Sequence, residues 1–376
     1  MMKLASPTIA VLLTLFISGC ALDPEGQVTV FKPAVFCPGN TLFSVANYLE
    51  PQVAYLQLLD PEGNRLWQYY SPYLGALLEF EVTPDQQLLL ITGDGLPSYR
   101  LNPATNRMEW VQTSDFIHHD IRVLPDGNYL FLYLYMYDRP PGMAFSPRET
   151  DGIRVLDPKS HETLWDWQIH NYISPDEYCP FCIPIPQPSF SGYDWTHCNT
   201  VLYRNEGGRD YFYLNIRNLN RFLKIDGDTQ EVVWSMGDGG DFGEGLWSHS
   251  HSAEFLPNGN LLMFDSGLHR YGHPGGSYSR VIEIAFDPEV GHAEVVWEYR
   301  ETPDFSSEAM GSATRLPNGN LLIADACNGR IVEVTRQKER VWEYKLRTDL
   351  NWVYKAERGT FPLTFQSRVE ARSTHP

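Results

Sequence analysis

Six copies of one hairpin-like unit constrain the fold of this 376-residue chain more than any other feature of its sequence. Each copy reads as an apolar strand, a turn rich in Asp, Asn or Gly, and a second strand that ends in tryptophan. Alternating apolar residues on both sides of such turns predict β-hairpins. The spacing between successive tryptophans, 43 to 69 residues, suits the blades of a β-propeller. The six tryptophans are Trp67, Trp110, Trp165, Trp234, Trp297 and Trp342.

A second hairpin alternates with the first along the chain. It is clearest after His119, His251 and Gly311, where a strand leads into Pro-Asp-Gly-Asn or Pro-Asn-Gly-Asn, which are turn sequences. Two hairpins per period make a four-stranded sheet, so six periods predict an all-β fold, a six-bladed β-propeller. Two packed β-sandwiches are the alternative, but they would not require six similar units. Residues 138–152 and 170–194 are long insertions, and we expect the second, which is rich in proline, to be a loop over one face.

The N-terminal segment has the pattern of a secretory signal. Lys3 is its only charge, and the apolar run that follows is too short to span a bilayer as a helix. The segment ends in Ile-Ser-Gly-Cys20, which resembles the lipobox of bacterial lipoproteins and predicts lipidation of Cys20. An ordinary signal peptide followed by a chance cysteine is the alternative. Ala21, and not an acidic residue, follows Cys20, which resembles the sorting signal of outer-membrane lipoproteins in Gram-negative bacteria. We therefore expect an exported lipoprotein in the outer membrane, facing the periplasm or the cell surface.

These signals divide the chain into four segments. The predicted boundaries are a lipoprotein signal peptide at 1–19, an anchor linker at 20–32, a six-bladed propeller at 33–365 and a C-terminal tail at 366–376.

The net charge of −18 limits the classes of partner that the chain can bind. An acidic protein without a basic run is a poor candidate for binding nucleic acid, so none is expected. The same charge repels an anionic substrate unless cations are concentrated locally. Any site for an anion must therefore gather its own positive groups.

Five cysteines follow Cys20, and two of them, Cys179 and Cys182, form a CxxC sequence. This pair is compatible with a local disulfide, half of a zinc site or a redox pair. A zinc site needs two further ligands at suitable spacing, and none stands nearby in the sequence. A thioredoxin-like role needs a βαβ context, whereas the surroundings here are rich in proline. A structural disulfide is therefore the favoured interpretation, and no metal ligands are assigned.

Three histidines occupy corresponding positions in three blades. His119 and His251 both stand five residues before the Leu-Pro of their turns, and His197 leads the corresponding strand of the blade between them. The first strand of each propeller blade lines the central channel, so the three side chains are predicted to converge there. Arg217 lies on the expected next strand of the blade of His197. Two other readings stay open, a zinc or copper site and histidines kept only for hydrogen bonding.

Strand alternation predicts the side-chain directions of the two histidines that flank this set. His249 is expected to share the facing of His251, and His118 to point the other way. The others are expected to be structural or surface residues, namely His161, His269, His273, His292 and His375.

Several segments, in the same order, resemble the bacterial arylsulfate sulfotransferase (ASST) family. They are PGNTLFSVANY, HHDIRVLPDGNYL, DWTHCNTV, LNIRNLNRFLKID, HSAEFLPNGNLLMFDSG and GSATRLPNGNLLI. The resemblance covers nearly the whole chain after Cys20. Ser250 stands where the family often has glutamine, and there is no room for an extra N-terminal β-domain, so the chain looks like a compact branch.

The resemblance implies a transferase that moves a sulfuryl group from a phenolic sulfate ester to a phenol, without a nucleotide sulfate donor and without a cofactor. The family nucleophile, a histidine sulfated in a covalent intermediate, falls on His251. The supporting catalytic residues fall on His119, His197 and Arg217. Asn199 matches the asparagine of the second histidine motif, and we expect Asn199 and His249 to bind substrate. A metal-dependent hydrolase and a non-catalytic surface-binding propeller are the alternative functions.

Overall fold

The structure is a computed structural model that describes residues 26–47, 54–71, 77–92, 98–111, 113–137, 146, 148–182, 192–270, 277–347 and 351–361. In these ranges the chain forms strands in six sheets and two short 3₁₀ turns, at Ile169–Asn171 and Arg217–Leu219. Within the same ranges, no helix has the length and apolar character needed to cross a membrane. The predicted signal peptide, Cys20 and the C-terminal tail lie outside the described residues and stay predictions.

The strands are numbered in chain order. They are β1 (Gly26–Phe31), β2 (Asn40–Asn47), β3 (Tyr55–Leu59), β4 (Arg65–Tyr70), β5 (Leu77–Val82), β6 (Leu88–Thr92), β7 (Tyr99–Asn102), β8 (Arg107–Trp110), β9 (Phe116–Val123), β10 (Tyr129–Tyr137), β11 (Arg148–Leu156), β12 (Thr163–Gln168), β13 (Tyr193–Asp194), β14 (Cys198–Glu206), β15 (Arg209–Ile216), β16 (Arg221–Asp226), β17 (Val232–Gly237), β18 (Ser250–Phe255), β19 (Leu261–Asp265), β20 (Arg280–Asp287), β21 (His292–Tyr299), β22 (Ser312–Arg315), β23 (Leu321–Asp325), β24 (Arg330–Val334), β25 (Arg340–Leu346) and β26 (Asn351–Gly359).

The six sheets are the blades of a propeller, which confirms the predicted fold. From the channel outward, blade 1 is β26-β2-β3-β4, blade 2 is β5 to β8, blade 3 is β9 to β12, blade 4 is β14 to β17 and blade 5 is β18 to β21. Blade 6 is β22 to β25 with β1 added on its outer edge, and the short β13 pairs in parallel with β11. Closure therefore uses both ends of the domain, because β26 is the innermost strand of the blade that begins with β2.

Two predicted boundaries differ from the structure. The linker expected at 20–32 contains β1, which pairs with β25 and belongs to blade 6. The insertion expected at 138–152 contains the first half of β11, because Arg148–Leu156 continues the hairpin with β10. The insertion at 170–194 is an irregular loop in its described part, apart from the end of the 3₁₀ turn at Ile169–Asn171 and the two-residue strand β13.

The repeated tryptophans stabilise the contacts between blades. Six clusters of buried apolar residues each join two neighbouring blades around the ring. The indole N–H of Trp165 donates to the Gly227 carbonyl of the next blade at 2.8 Å, and that of Trp342 donates to the Pro61 carbonyl at 2.8 Å. A tryptophan suits this position because it buries a large apolar ring while its one polar group finds an acceptor.

Candidate functional site

The inner strands of blades 3, 4 and 5 are irregular at the same end of the channel. The pairing register shifts after His118 in β9, around Asn199 in β14 and around Ser252 in β18. His119, His197 and Ser252 have left-handed backbones, with φ of 55°, 49° and 48°. Such bulges turn side chains out of the regular alternation and are frequent beside functional sites.

The bulges bring the three predicted histidines together. The ring centroid of His119 lies 4.9 Å from that of His197 and 5.9 Å from that of His251. His251 is 4% exposed, whereas His119 and His197 are partly open to the channel. The convergence that the repeat positions predicted is therefore present. We call His119, His197, His251 and Arg217 the funnel cluster.

Arg217 reaches this cluster from the adjacent strand. Ile216, the last residue of β15, pairs with Cys198, so Arg217 follows the strand at the end where His197 stands. The sequence predicts Arg217 on a strand, but the residue begins a 3₁₀ turn. Its buried guanidinium donates to Asn218 Oδ1 at 2.8 Å and to the Glu308 carbonyl at 3.4 Å. No carboxylate of the described residues lies within ion-pairing distance of it, so its charge is free to act on an anion.

Two carboxylates hold the imidazoles of the funnel cluster from behind. His197 Nδ1 lies 2.7 Å from Asp194 Oδ2. His118 Nε2 lies 3.1 Å from Asp151 Oδ1, and the other nitrogen of His118 lies 2.7 Å from His119 Nδ1. The hydrogen bond with Asp194 fixes the orientation and the tautomer of His197, whereas Asp151 contacts His118 as a close charge without a well-formed hydrogen bond. His118 therefore does not point away from the site but links Asp151 to His119.

His251 is held by the neighbouring blade. The Gly311 backbone lies close enough to His251 to raise its pKa slightly against the larger effect of burial, and the ring of His251 packs at a steep angle to that of Tyr354, with a centroid distance of 5.4 Å. Gly311 has φ of 94°, and a Cβ there would approach three Phe264 ring atoms to 2.9 Å or less. Only glycine fits this close approach, which accounts for the glycine that blade 6 carries at the histidine position of blades 3 and 5.

The surroundings favour the neutral form of two of these imidazoles, His251 and His119. Burial lowers the pKa of His251 to about 3, with further contributions from the charges of Arg217 and His197. Burial, followed by the charges of neighbouring histidines and of Arg217, holds the pKa of His119 well below its usual value. Burial would raise the pKa of Asp194, but His197 and Arg217 outweigh it and lower that pKa. A buried neutral imidazole beside a guanidinium is suited to attack an electrophile that carries negative charge.

Asn199 contacts the backbone that carries His251. Its Nδ2 donates to the Ser250 carbonyl at 2.9 Å, and its Oδ1 accepts from Asn215 Nδ2 at 2.8 Å. Asn215 Oδ1 in turn accepts from the Ser250 hydroxyl at 3.0 Å. The contacts of Asn199 thus position β18, and its predicted contact with substrate stays a prediction.

His249 belongs to a different group of side chains. Its Nε2 lies 3.2 Å from Cys182 Sγ, and the same sulfur lies 3.5 Å from His269 Nε2. With Cys179 these residues form the loop cluster, in which one ligand atom from each residue lies within 4.8 Å of all the others. Both cysteines are free thiols, so the disulfide that the sequence favoured is absent. The sequence also offered no partners for CxxC, because the two histidines stand 67 and 87 positions beyond Cys182.

The loop cluster is the one group in the described residues whose side chains could share a metal ion. His119, His197 and His251 do not form such a set. Beside the loop cluster, a groove of about 410 Å³ opens between the 170–194 insertion and blades 4 and 5. His161 and His292 are exposed, as expected, whereas His273 and His375 lie outside the described residues.

Comparison with known proteins gives a family and a fold. The sequence matches the Arylsulfotransferase (ASST) family over residues 28–355. No curated protein sequence matches the chain. Among solved structures, a protein of unknown function from Bacteroides caccae is 12% identical, with a TM-score of 0.53, and the match covers 85% of this chain and 98% of that one. TolB from Acinetobacter baumannii is 14% identical with a TM-score of 0.47, over 86% of this chain and 67% of that one. At these identities the first structure supports the fold alone.

Proposed function

This chain belongs to the arylsulfotransferase (ASST) family, and we propose that it moves a sulfuryl group from a phenolic sulfate ester to a phenol through a sulfohistidine at His251. The observation that carries the proposal is the convergence of three imidazoles with a buried guanidinium at one mouth of the channel. A net charge of −18 would repel a sulfate ester elsewhere on the molecule. The funnel cluster supplies the local positive charge that such a substrate needs.

His251 is the nucleophile in this proposal. A neutral imidazole has a lone pair on one ring nitrogen, and in this proposal that nitrogen of His251 faces the sulfuryl group. That nitrogen attacks sulfur, an N–S bond forms, and the bond between sulfur and the phenolic oxygen breaks. In the second half of the reaction a phenol oxygen attacks the same sulfur, and the N–S bond breaks to regenerate neutral His251. No nucleotide donor enters this sequence.

Arg217 stabilises the charge that moves during both steps. Sulfuryl transfer, like phosphoryl transfer, depends on in-line geometry and on stabilisation of the peripheral oxygens. A guanidinium offers a planar fork of donors to those oxygens and stays charged at every working pH. The contacts of Arg217 with the Asn218 side chain and the Glu308 carbonyl hold the fork in place without neutralising it.

His197 carries the proton in this scheme. Its Nδ1 is backed by Asp194, so it can give a proton to the leaving phenolate and accept one from the incoming phenol. His119 stays neutral and donates a hydrogen bond to the sulfuryl oxygens. Phenolates are good leaving groups, which limits the donors to aryl sulfates. If water takes the place of the phenol, the product is inorganic sulfate and the protein acts as a sulfatase.

The test is an intact-mass spectrum of the full chain after brief incubation with an aryl sulfate and no acceptor. We expect a gain of one sulfuryl group that maps to a peptide containing His251 and disappears when phenol is added. Release of phenol with no adduct on the chain would contradict the covalent intermediate. Absence of both adduct and phenol release would contradict transferase activity itself and favour a surface-binding propeller.

The metal-dependent hydrolase of the sequence analysis has less support. It required the three funnel histidines to share one ion, whereas the group able to do so in the described residues is the loop cluster. A buried guanidinium beside the histidines also disfavours a dication there.

We also propose that the chain is exported and anchored by a lipid on Cys20, as its N-terminal sequence suggests. Metabolic labelling with a fatty acid should mark the wild-type chain but not Cys20→Ala. Equal labelling of both chains, or of neither, would contradict the anchor.

A further inference from the structure

The ligand atoms of the loop cluster lie close enough together to surround one metal ion. In a zinc site, a sulfur at about 2.3 Å and a nitrogen at about 2.05 Å from the ion lie about 3.6 Å from each other. The Sγ of Cys182 lies 3.2 Å from His249 Nε2 and 3.5 Å from His269 Nε2. Cys179 completes a set of four atoms that all lie within 4.8 Å of one another. Small shifts of the side chains would therefore place an ion within bonding distance of two sulfurs and two nitrogens.

Hydrogen bonds around His249 present its Nε2 as a ligand atom. The hydroxyl of Ser248 donates to the Leu268 carbonyl at 2.6 Å, so its oxygen accepts from His249 Nδ1 at 3.3 Å. This bond leaves the lone pair of His249 on Nε2, the nitrogen beside Cys182. The His249 backbone N–H donates to Asn220 Oδ1 at 2.7 Å and holds the residue at φ of 54°. Such outer contacts commonly fix the tautomer of a histidine that binds a metal.

We propose that Cys179, Cys182, His249 and His269 bind one Zn²⁺ ion. Two thiols lose their protons to solvent as the ion binds, and the two imidazoles bind in their neutral form. Thiolate and imidazole ligands in a tetrahedral set favour zinc over calcium or magnesium, which prefer oxygen. All four positions are filled by the protein, which is the pattern of a structural site. Three of the four residues line the groove described above, which gives the ion a path of entry.

The ion would fasten the 170–194 insertion to the strand of His251. Outside the cluster, the described part of this loop is held by the Glu177–Arg221 ion pair at 2.7 Å and by the Trp195 indole, which donates to the Glu177 carbonyl at 2.7 Å. His249 stands two residues before His251, so a bond from zinc to His249 would also fix the start of β18. This positioning role rests on the proposed function of His251, whereas zinc binding does not.

The experiment measures the metal directly. The full chain is reduced, freed of metal with a chelator, exposed to zinc chloride and desalted, and its zinc is measured by mass spectrometry. We expect about one ion per chain, and a loss of more than about nine tenths of it in Cys179→Ser and in His269→Ala. Cys327→Ser is the matched control, because this thiol lies outside the cluster, and it should keep the wild-type content. Zinc below about a tenth of an ion per wild-type chain, or equal zinc in all variants, would overturn the proposal.

A second measurement uses only the wild-type chain and so does not depend on the folding of a variant. Zinc should protect two thiols from a thiol-specific dye, and a chelator should return them to the reactive pool. Digestion without reductant separates the metal site from the disulfide alternative. A linked Cys179–Cys182 peptide from the zinc-treated chain would overturn the proposal, and an unlinked peptide together with thiol protection would support it.

Sulfuryl transfer is not needed for either readout, so failure of the proposed function would leave both results interpretable. If both proposals hold, zinc removal lowers kcat roughly tenfold while KM changes little.

Discussion

The segment Ser248-His249-Ser250-His251 sends its two histidines to two different clusters. His251 enters the funnel cluster, where its charged neighbour is Arg217, and His249 enters the loop cluster, where its neighbours are two thiols. The backbone separates them, because His249 and Ser252 have left-handed φ values of 54° and 48°. Regular strand alternation would have placed both side chains on one face. The chemistry of each imidazole is therefore decided by the partners that the fold brings to it.

The two clusters also differ in what supports their histidines. Carboxylates stand behind the funnel cluster, with Asp194 on His197 and Asp151 on His118. A serine hydroxyl stands behind His249, and that hydroxyl is itself bound to a carbonyl. A carboxylate stabilises an imidazole that takes up a proton during a reaction. A neutral hydroxyl fixes a tautomer without favouring protonation, which suits a metal ligand. The difference fits the proton and group transfer that we propose for the funnel cluster and the ion that we propose for the loop cluster.

Replacing each of the two histidines, His249 and His251, by alanine tests this comparison most strongly. We expect His251→Ala to lower kcat by at least about 10³-fold, because the nucleophile is lost, and to leave the zinc content unchanged. His249→Ala should lose the zinc and still form a sulfuryl adduct on His251. Turnover of a chromogenic aryl sulfate, adduct mass and zinc content are measured on both variants. Zinc loss in His251→Ala, or loss of the adduct in His249→Ala, would show that the two clusters act as one site.

The guanidinium is expected to have the next largest effect. Arg217→Lys keeps a positive charge but removes the planar fork, so kcat should fall about 10²-fold. Arg204→Lys is a matched control on the same blade, because Arg204 is exposed and stacks on Phe255 away from the channel. It should change kcat by less than about twofold. If the activity of Arg217→Lys stays within a few-fold of the wild type, the proposed contact of Arg217 with the sulfuryl oxygens is contradicted.

The repeats predicted the fold and the funnel histidines for a physical reason. Strand periodicity and turn residues are local, so they are visible in the sequence of each blade, and the repeat then gives equivalent positions in space. His119, His197 and His251 could be aligned in this way. The end of β15 could not be placed by counting, because Arg217 follows the strand in a 3₁₀ turn.

Residues outside the repeat were harder to predict. Asp151 falls in a segment that the sequence predicts as an insertion, and the DxxH spacing of Asp194 and His197, written as Asp-Trp-Thr-His, is too short a pattern to predict their contact. The orientation of His118 was predicted wrongly, because bulges are not encoded by a simple alternation. The loop cluster was missed for another reason. Its cysteines and histidines come from distant segments, and only the tertiary fold brings a proline-rich loop against blade 5.

Removing the carboxylate behind His197 should have a moderate effect. Asp194→Asn keeps the size of the side chain but no longer stabilises a protonated imidazole, so kcat should fall about tenfold to a hundredfold with little change in KM. Asp210→Asn is the control, because Asp210 is exposed and accepts from Tyr203 near the turn between β14 and β15, at the end of these strands away from His197. Zinc content should stay unchanged in both variants. A rise in KM at constant kcat would instead assign Asp194 to substrate binding.

The smallest expected effect concerns Glu149, a third carboxyl behind the funnel cluster. It is buried on β11 opposite Asp194, and burial, followed by the charges of Asp194 and Asp151, raises its pKa from 4.5 to about 8. The folded chain therefore keeps this proton where the unfolded chain has released it. As pH rises from 4.5 to about 8, the free energy of unfolding should fall through this group, because the unfolded state binds fewer protons.

Glu149→Gln removes that dependence while keeping the shape of the side chain. We expect the wild type to lose a few degrees in Tm, relative to this variant, between pH 5 and pH 8. Glu162→Gln, at an exposed position, should follow the wild type across the same range. Parallel pH profiles for Glu149→Gln and the wild type would mean that Glu149 is ionised in the folded chain. In that case the carboxyl groups behind the funnel cluster would not lower the stability of the folded chain. The two clusters would then differ in the proposed reaction but not in their cost to stability.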